Sequence, residues 1–346
     1  MNENAIFWVA FTVVFVIAFL IDMYATTSRK TIMTEKVALR WTGLWVSIAL
    51  LFGFFVYLFY PATSSVSSTD LFNLYLQGYL IEYSLSVDNL FAFIMIFSLM
   101  GVSESNQPKL LKLGVFMSII FRILFILAGT ELVQKFEWVM YIFGAILIWT
   151  AYKMAFSGGE EDVDPKNNFM YKWASKLFPV DPDTHSEKFF TVINGKRHIT
   201  TIFLVLLVIG STNIIFSLDS IPAIIGIVKS IPDLDPRNFI AISSSVFAVM
   251  GLVSLFFALK GIMKMFRFMQ QGVCFILFFI GFKMIAECYE PIKNFFESYQ
   301  WITLFVILFS LIFSIILSMV IEEKEEIDEL KSEIEDMKKD INNNNN

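Results

Sequence analysis

Ser86-Val87-Asp88-Asn89-Leu90 sits inside an apolar run covering 71–99, and Ser217-Leu218-Asp219-Ser220-Ile221 sits inside another covering 199–228. Superposing the two aspartates sets a register between the stretches. Five matched positions would be weak evidence of duplication, but the flanks agree as well. Ala92-Phe93-Ile94 aligns with Ala223-Ile224-Ile225, and Tyr152-Lys153-Met154 with Phe282-Lys283-Met284 at nearly the same offset. Each run is longer than the roughly 20 residues that one straight helical crossing of a bilayer needs. Pro222, just past Asp219, removes a helix donor. These features predict a broken or tilted helix at each aspartate, with released carbonyls turned toward the protein interior.

Seven further apolar runs accompany these two. Together the candidate spans are roughly 6–24, 39–60, 71–99, 111–130, 137–155, 199–228, 238–259, 268–286 and 300–320. Of the 346 residues 56% are hydrophobic and 17% charged, and 39 are phenylalanine. Soluble domains carry about 25% charged residues; a surface this apolar suits lipid. The expected class is an all-α polytopic transmembrane bundle of about nine spans. Residues 1–60 hold two N-terminal helices, 61–155 the first repeat, 156–198 a loop, 199–286 the second repeat, 287–321 the last helix and 322–346 a charged tail. The first span has no basic segment before it and no small-residue cleavage site, so it reads as a retained helix.

Three helices per repeat is an odd number, so the second copy should cross the membrane in the opposite sense. This is the inverted-repeat plan of many secondary transporters, whose sites lie near the midplane between copies. Lysine and arginine placement gives the orientation: five lie on the N-terminal side of the spans, twenty on the other, and Arg122 within a span. Basic residues concentrate on the cytosolic side, so the N-terminus is expected outside and the C-terminus on the cytosolic side.

An acid inside a span costs at least about 2.5 kcal/mol even on insertion scales and is a site candidate by default. Glu82 and Asp88 share the third span with Ser84, Ser86 and Asn89; Asp219 shares the sixth with Asn213, Ser217 and Ser220. Arg122, in the fourth span, must find a partner, and a carboxylate of the third is the natural one. Collected between the repeats, these oxygens are hard ligands suited to Mn²⁺, Mg²⁺ or Ca²⁺. The bland alternative is an arginine that only locks helices together. Asp22, near the end of the first span, suits a polar interfacial role better than ligation. Cys274 and Cys288 show no CxxC spacing and read as buried thiols. No basic patch with interleaved aromatics suggests nucleic acid, and no HExxH motif or Ser–His pair suggests an enzyme.

The run from Gly78 to Phe91, GYLIEYSLSVDNLF, and that from Phe216 to Ile224, FSLDSIPAI, resemble the two signature stretches of the TerC family of integral membrane proteins. Tyr141-Ile142-Phe143-Gly144 is similar too, and the likeness runs from about 6 to 320. The resemblance implies a multipass protein of the larger LysE-like transporter group. Relatives in that family are linked to Mn²⁺ export, to tellurite resistance or, in plastids, to membrane-protein insertion. It also implies a metal site of Glu82, Asp88, Asn89 and Asp219, with no resident cofactor. The second repeat departs from the pattern: where the family usually has Glu, Asp, Asn and Arg, this chain has Gly210, Asn213, Ser245 and Val253. Val253 stands to Asp219 as Arg122 stands to Asp88, so one of two symmetric arginines is missing; with two acids lost as well, the site is less anionic and should hold a divalent cation less tightly. The expected function is divalent-cation export, Mn²⁺ foremost, by alternating access. The alternative is a non-transporting scaffold or assembly factor.

In the 156–198 loop, Glu160, Glu161, Asp162 and Asp164 read as solvated, and His185 and His198 as surface residues. Phe169, Met170, Trp173 and Leu177 recur at helical spacing, as in a helix lying along the membrane surface. Phe189 to Thr201 reads as a hairpin turning at Asn194-Gly195. In the tail, Ile327, Leu330, Ile334, Met337 and Ile341 form an a/d stripe that could support self-association. The final Asn342–Asn346 run is expected to be disordered.

Overall fold

The computed structural model describes residues 3–27, 34–61, 66–156, 165, 168–181, 188–193, 195–262, 268–287, 289–299 and 301–321. The acidic run 160–164, His185, Asn194 and the tail from 322 lie outside the described residues, as do the side chains of Asp88 and Asp219.

Helices α1 (Glu3–Thr27), α2 (Glu35–Phe59), α3 (Ser68–Leu99), α4 (Gln107–Lys135) and α5 (Val139–Phe156) are followed by a short α6 (Phe169–Leu177) and a hairpin, β1 (Phe190–Ile193) and β2 (Lys196–Ile199). Then come α7 (Thr201–Val228), α8 (Leu234–Val249), α9 (Leu252–Ile262), α10 (Met269–Ala286) and α11 (Glu290–Ser298), with α12 over Trp301–Ile321. Among the described residues eight helices are long and apolar enough to cross a bilayer, or nine spans if the α8–α9 pair, bent by 41°, is counted as one. The architecture is an all-α polytopic membrane bundle. Its outer surface is apolar: Phe305, Phe309 and Phe313 of α12 are exposed, as are Val9, Val13 and Ile17 of α1. An exposed stripe of this kind is lipid-facing rather than misplaced core.

The helices begin and end for local reasons. Ser67 and Asp70 form a reciprocal capping box at the start of α3, with Asp70 N–H donating to Ser67 Oγ at 3.2 Å and Ser67 N–H to Asp70 Oδ2 at 3.3 Å. Thr200 caps α7 by accepting from Phe203 N–H at 3.3 Å. The expected interruptions at the two aspartates do not occur. Both α3 and α7 run unbroken, and Pro222 lies inside α7. A proline leaves one carbonyl of the helical ladder without its donor, and the rest of the ladder carries the helix through. The break falls instead between α8 and α9, where Gly251 takes φ 79°. That left-handed conformation favours glycine, and a Cβ there would press on the Trp45 indole, 2.5 Å from Cδ1.

α8 is the centre of the bundle, with every residue from Pro236 to Val249 buried. Its serines let neighbours approach closely: Gly78 of α3 lies against Ser244. α3 packs on α8 and α7 on α4, α5 packs on α10, and α5 also meets α7 as α10 meets α3. Exchanging α3 with α7, α4 with α8 and α5 with α10 leaves these named relations unchanged, whereas the α7–α8, α7–α10 and α4–α5 contacts have no comparable counterpart. At the α5–α10 crossing the backbones nearly touch, since a Cβ on Gly281 would sit 2.8 Å from the Gly144 carbonyl oxygen. Small residues permit such approach in membranes, where close packing drives helix association. α1 and α2 add an aromatic cluster over α8, in which Tyr60 stacks on Phe239 at 5.0 Å and Phe52 meets Phe247 at 4.7 Å.

Candidate functional site: a buried charge centre

α3 brings Glu82 and Ser86 to one face, one turn apart, and α4 brings Ser118 and Arg122 to the opposing face in the same way. Glu82 is fully buried and Arg122 is 2% exposed. The guanidinium Nη1 pairs with Glu82 Oε2, Nη2 donates to Ser86 Oγ at 3.3 Å and Nε to Ser118 Oγ at 3.3 Å. From α8, the Ser245 hydroxyl donates to the other Glu82 oxygen at 3.2 Å. One carboxylate thus ties α3 to both α4 and α8. Pairing with full hydrogen bonding is what allows two charges to be retained away from water.

The second-repeat helix α7 carries the corresponding positions without the charges. In the register that superposes Asp88 on Asp219, Asn213 takes the place of Glu82. Its Nδ2 donates to the Gly114 carbonyl at 2.9 Å. The same register places Gly114 opposite Ser245. The contacts Glu82–Ser245 and Asn213–Gly114 are therefore counterparts, each joining a middle helix to the aspartate-bearing helix of the other half. Ser217 corresponds to Ser86, and Val253 to Arg122. Where Ser86 receives a guanidinium hydrogen bond, the Ser217 hydroxyl is buried and has no partner among the described residues. The missing arginine leaves a visible trace. Ser220 is also buried and donates to the Ser217 carbonyl at 3.2 Å, Asn89 is half-buried, and Ser84 donates to Leu80 O at 2.6 Å within its helix.

The sequence-nominated residues divide accordingly. Glu82, Ser86 and Arg122 meet in one network; Asn213, Ser217 and Ser220 line the equivalent stretch of α7. Asp88 and Asp219 have their backbone in α3 and α7, helices that pack on each other. Among the described residues no three His, Cys, Asp or Glu side chains gather as a metal cluster. Asp22 is buried at the end of α1, near Lys112 of α4 and the Trp45 indole. Cys274 donates its thiol to Ala151 O at 2.8 Å.

Two features escaped the sequence reading. Ser118 belongs to the arginine cradle, and its place one turn before Arg122 is the signal that could have revealed it. A cavity of about 520 Å³ opens where α3, α4, α5, α7, α8, α10 and α11 end together. Its lining includes Gln77, Glu137, Lys229, Arg237, Lys283 and Glu287. Glu287 is buried, paired with Lys229 and 3.7 Å from Lys283 Nζ; the acid one helical turn after Lys283 was the available clue.

Comparison with known proteins adds to this geometry. The integral membrane protein TerC family matches residues 67–326. An uncharacterized membrane protein of Myxococcus xanthus is 35% identical over 278 residues, 80% of this chain and 82% of its own. Proteins provisionally described as the membrane-bound redox modulator Alx are similar as well. That of Salmonella typhi is 36% identical over 280 residues, 80% of this chain and 84% of its own. That of Escherichia coli K12 is 35% identical over 281 residues, 80% and 85% of the two chains. No solved structure matches.

Proposed function

Because the chain belongs to the integral membrane protein TerC family, we propose that it moves a divalent cation, Mn²⁺ foremost, from the cytosolic side across the membrane by alternating access. The observation that carries this reading is the buried charge centre in the third span, facing a neutral counterpart in the sixth. Ionisable side chains within membrane spans mark ion pathways and relays. The two halves act as inverted three-helix repeats, supported by the exchangeable neighbour relations of α3, α4 and α5 with α7, α8 and α10. The cavity beside Gln77 and Gly226 serves as the vestibule on the N-terminal side, placed outside by the distribution of basic residues.

In this scheme Asp88, Asp219 and Asn89 supply the hard oxygens that replace water on the ion. Glu82 would have to release Arg122 to join them, so the arginine competes with the cargo for one carboxylate. Such competition offers a way to couple ion binding to a helix shift, since a ligand shifts an equilibrium only through differential affinity. The activity is transport, with no bond made or broken. The name redox modulator belongs to the relatives; here the two cysteines, Cys274 and Cys288, lie apart without CxxC spacing.

Purified full-length protein in liposomes, assayed with Mn²⁺, Mg²⁺ and Ca²⁺ in turn, tests the proposal. Mn²⁺ flux is expected, with Asp88→Asn or Asp219→Asn lowering it at least about tenfold, the equivalent of about 1.4 kcal/mol. Absence of flux for every ion, with partner proteins co-purifying, would instead establish the scaffold reading, which the tightly locked Glu82–Arg122 pair favours.

A further inference from the structure

We propose that α6 and the β1–β2 hairpin form a docking surface for anionic lipid headgroups, so that this segment responds to the charge of the leaflet it lies on. Two parallel rows run along α6, each stepping one helical turn at a time. Phe169, Trp173 and Leu177 form an apolar row, 76%, 51% and 56% exposed. Lys172 and Lys176 form an exposed basic row beside it. On the inner side Ala174 is buried and the helix packs on α7. The exposed face is therefore the one without a protein neighbour among the described residues.

The hairpin extends the surface. Phe190 and Val192 lie on the same face of β1 and are 54% and 68% exposed. Arg197 is the cross-strand partner of Val192 and shares that face. Asp181 accepts the Thr191 hydroxyl at 2.6 Å; the segment's other acids, Glu160, Glu161, Asp162, Asp164, Asp183 and Glu187, lie outside the described residues. The unit is also held against α7. Asn168, which caps α6, donates to Ser211 of α7 at 2.9 Å, and β2 ends just before α7 begins.

The candidate spans α5, ending at Phe156, and α7, beginning at Thr201, bound the segment in the chain, which puts a bilayer surface within its reach. An exposed aromatic row alone would suit any lipid. The adjacent lysines and Arg197 select anionic headgroups. This inference does not depend on the transport proposal.

The test uses the full chain with Cys274→Ala, Cys288→Ala and Trp173→Cys, labelled with a solvatochromic fluorophore. It is reconstituted in phosphatidylcholine vesicles and in mixtures with phosphatidylglycerol. The expected result is blue-shifted emission and severalfold weaker acrylamide quenching in the anionic vesicles. Added salt and the pair Lys172→Glu, Lys176→Glu should both return the signal to its value in neutral lipid. Equal emission and quenching in the two lipids would overturn the proposal, whether the label were protected in both or exposed in both. The comparison of lipids in the parent protein needs no variant to fold.

Discussion

Arg122 is among the largest fully buried side chains in the molecule, and its guanidinium holds three neighbours at once. Removing one partner of a buried pair strands the other charge, which costs about 3–5 kcal/mol, whereas replacing both with apolar groups is often close to neutral. Arg122→Leu and Glu82→Leu should therefore each lower the thermal midpoint in detergent, while the double variant recovers most of the loss. Additive losses would mean that the pair is not coupled in the folded protein. The sequence showed that Arg122 needed a carboxylate of the third span, because an unpaired guanidinium cannot persist there. It could not choose between Glu82 and Asp88. Both lie on the same helix, and only the rotation of α3 against α4 decides which one faces the arginine. Likewise Ser245 was noticed merely as a departure from a pattern, since a hydrogen bond across 163 residues has no local signature.

At the level of helices, length and hydropathy placed all the spans, because a bilayer fixes how long an apolar run must be. What they misplaced was the interruption. Pro222 looked like a breaker, yet a proline within a supported membrane helix forfeits little more than one hydrogen bond. Gly251 looked ordinary, yet it alone supplies the left-handed turn that separates α8 from α9. Gly251→Ala combines strain at positive φ, about 1–3 kcal/mol, with pressure on Trp45. It should reduce the thermal midpoint clearly, whereas Gly43→Ala, where a Cβ would meet nothing within 4 Å, should leave it unchanged. A midpoint equally insensitive to both substitutions would show that the bend does not require glycine. The hairpin was legible in full because Asn-Gly chemistry specifies a tight turn, and Gly195 adopts φ 77°.

For the molecule as a whole, alternating access requires one three-helix unit to move against the other. Gly78 of α3 and Ser244 of α8 belong to different units in the proposed scheme, and a Cβ on Gly78 would lie 3.2 Å from the Ser244 Cβ and 2.7 Å from Ile224 Cδ1, so a small outward shift of α3 reaches the roughly 3.5–4.5 Å spacing of disulfide-bonded residues. With Cys274 and Cys288 removed, Gly78→Cys combined with Ser244→Cys should cross-link on oxidation. Mn²⁺ flux should then fall to background and return on reduction. Undiminished flux in fully cross-linked protein would exclude rocking between these units. The burial of α8 also bears on how the molecule is made. Arg237, Ser243, Ser244 and Ser245 give the segment little reason to leave an aqueous translocon for lipid on its own, and in the finished protein it scarcely meets lipid at all. The helices that cover it, α1, α2, α3, α4 and α7, all precede it in the chain, so the segment emerges beside a prepared interior rather than bare lipid.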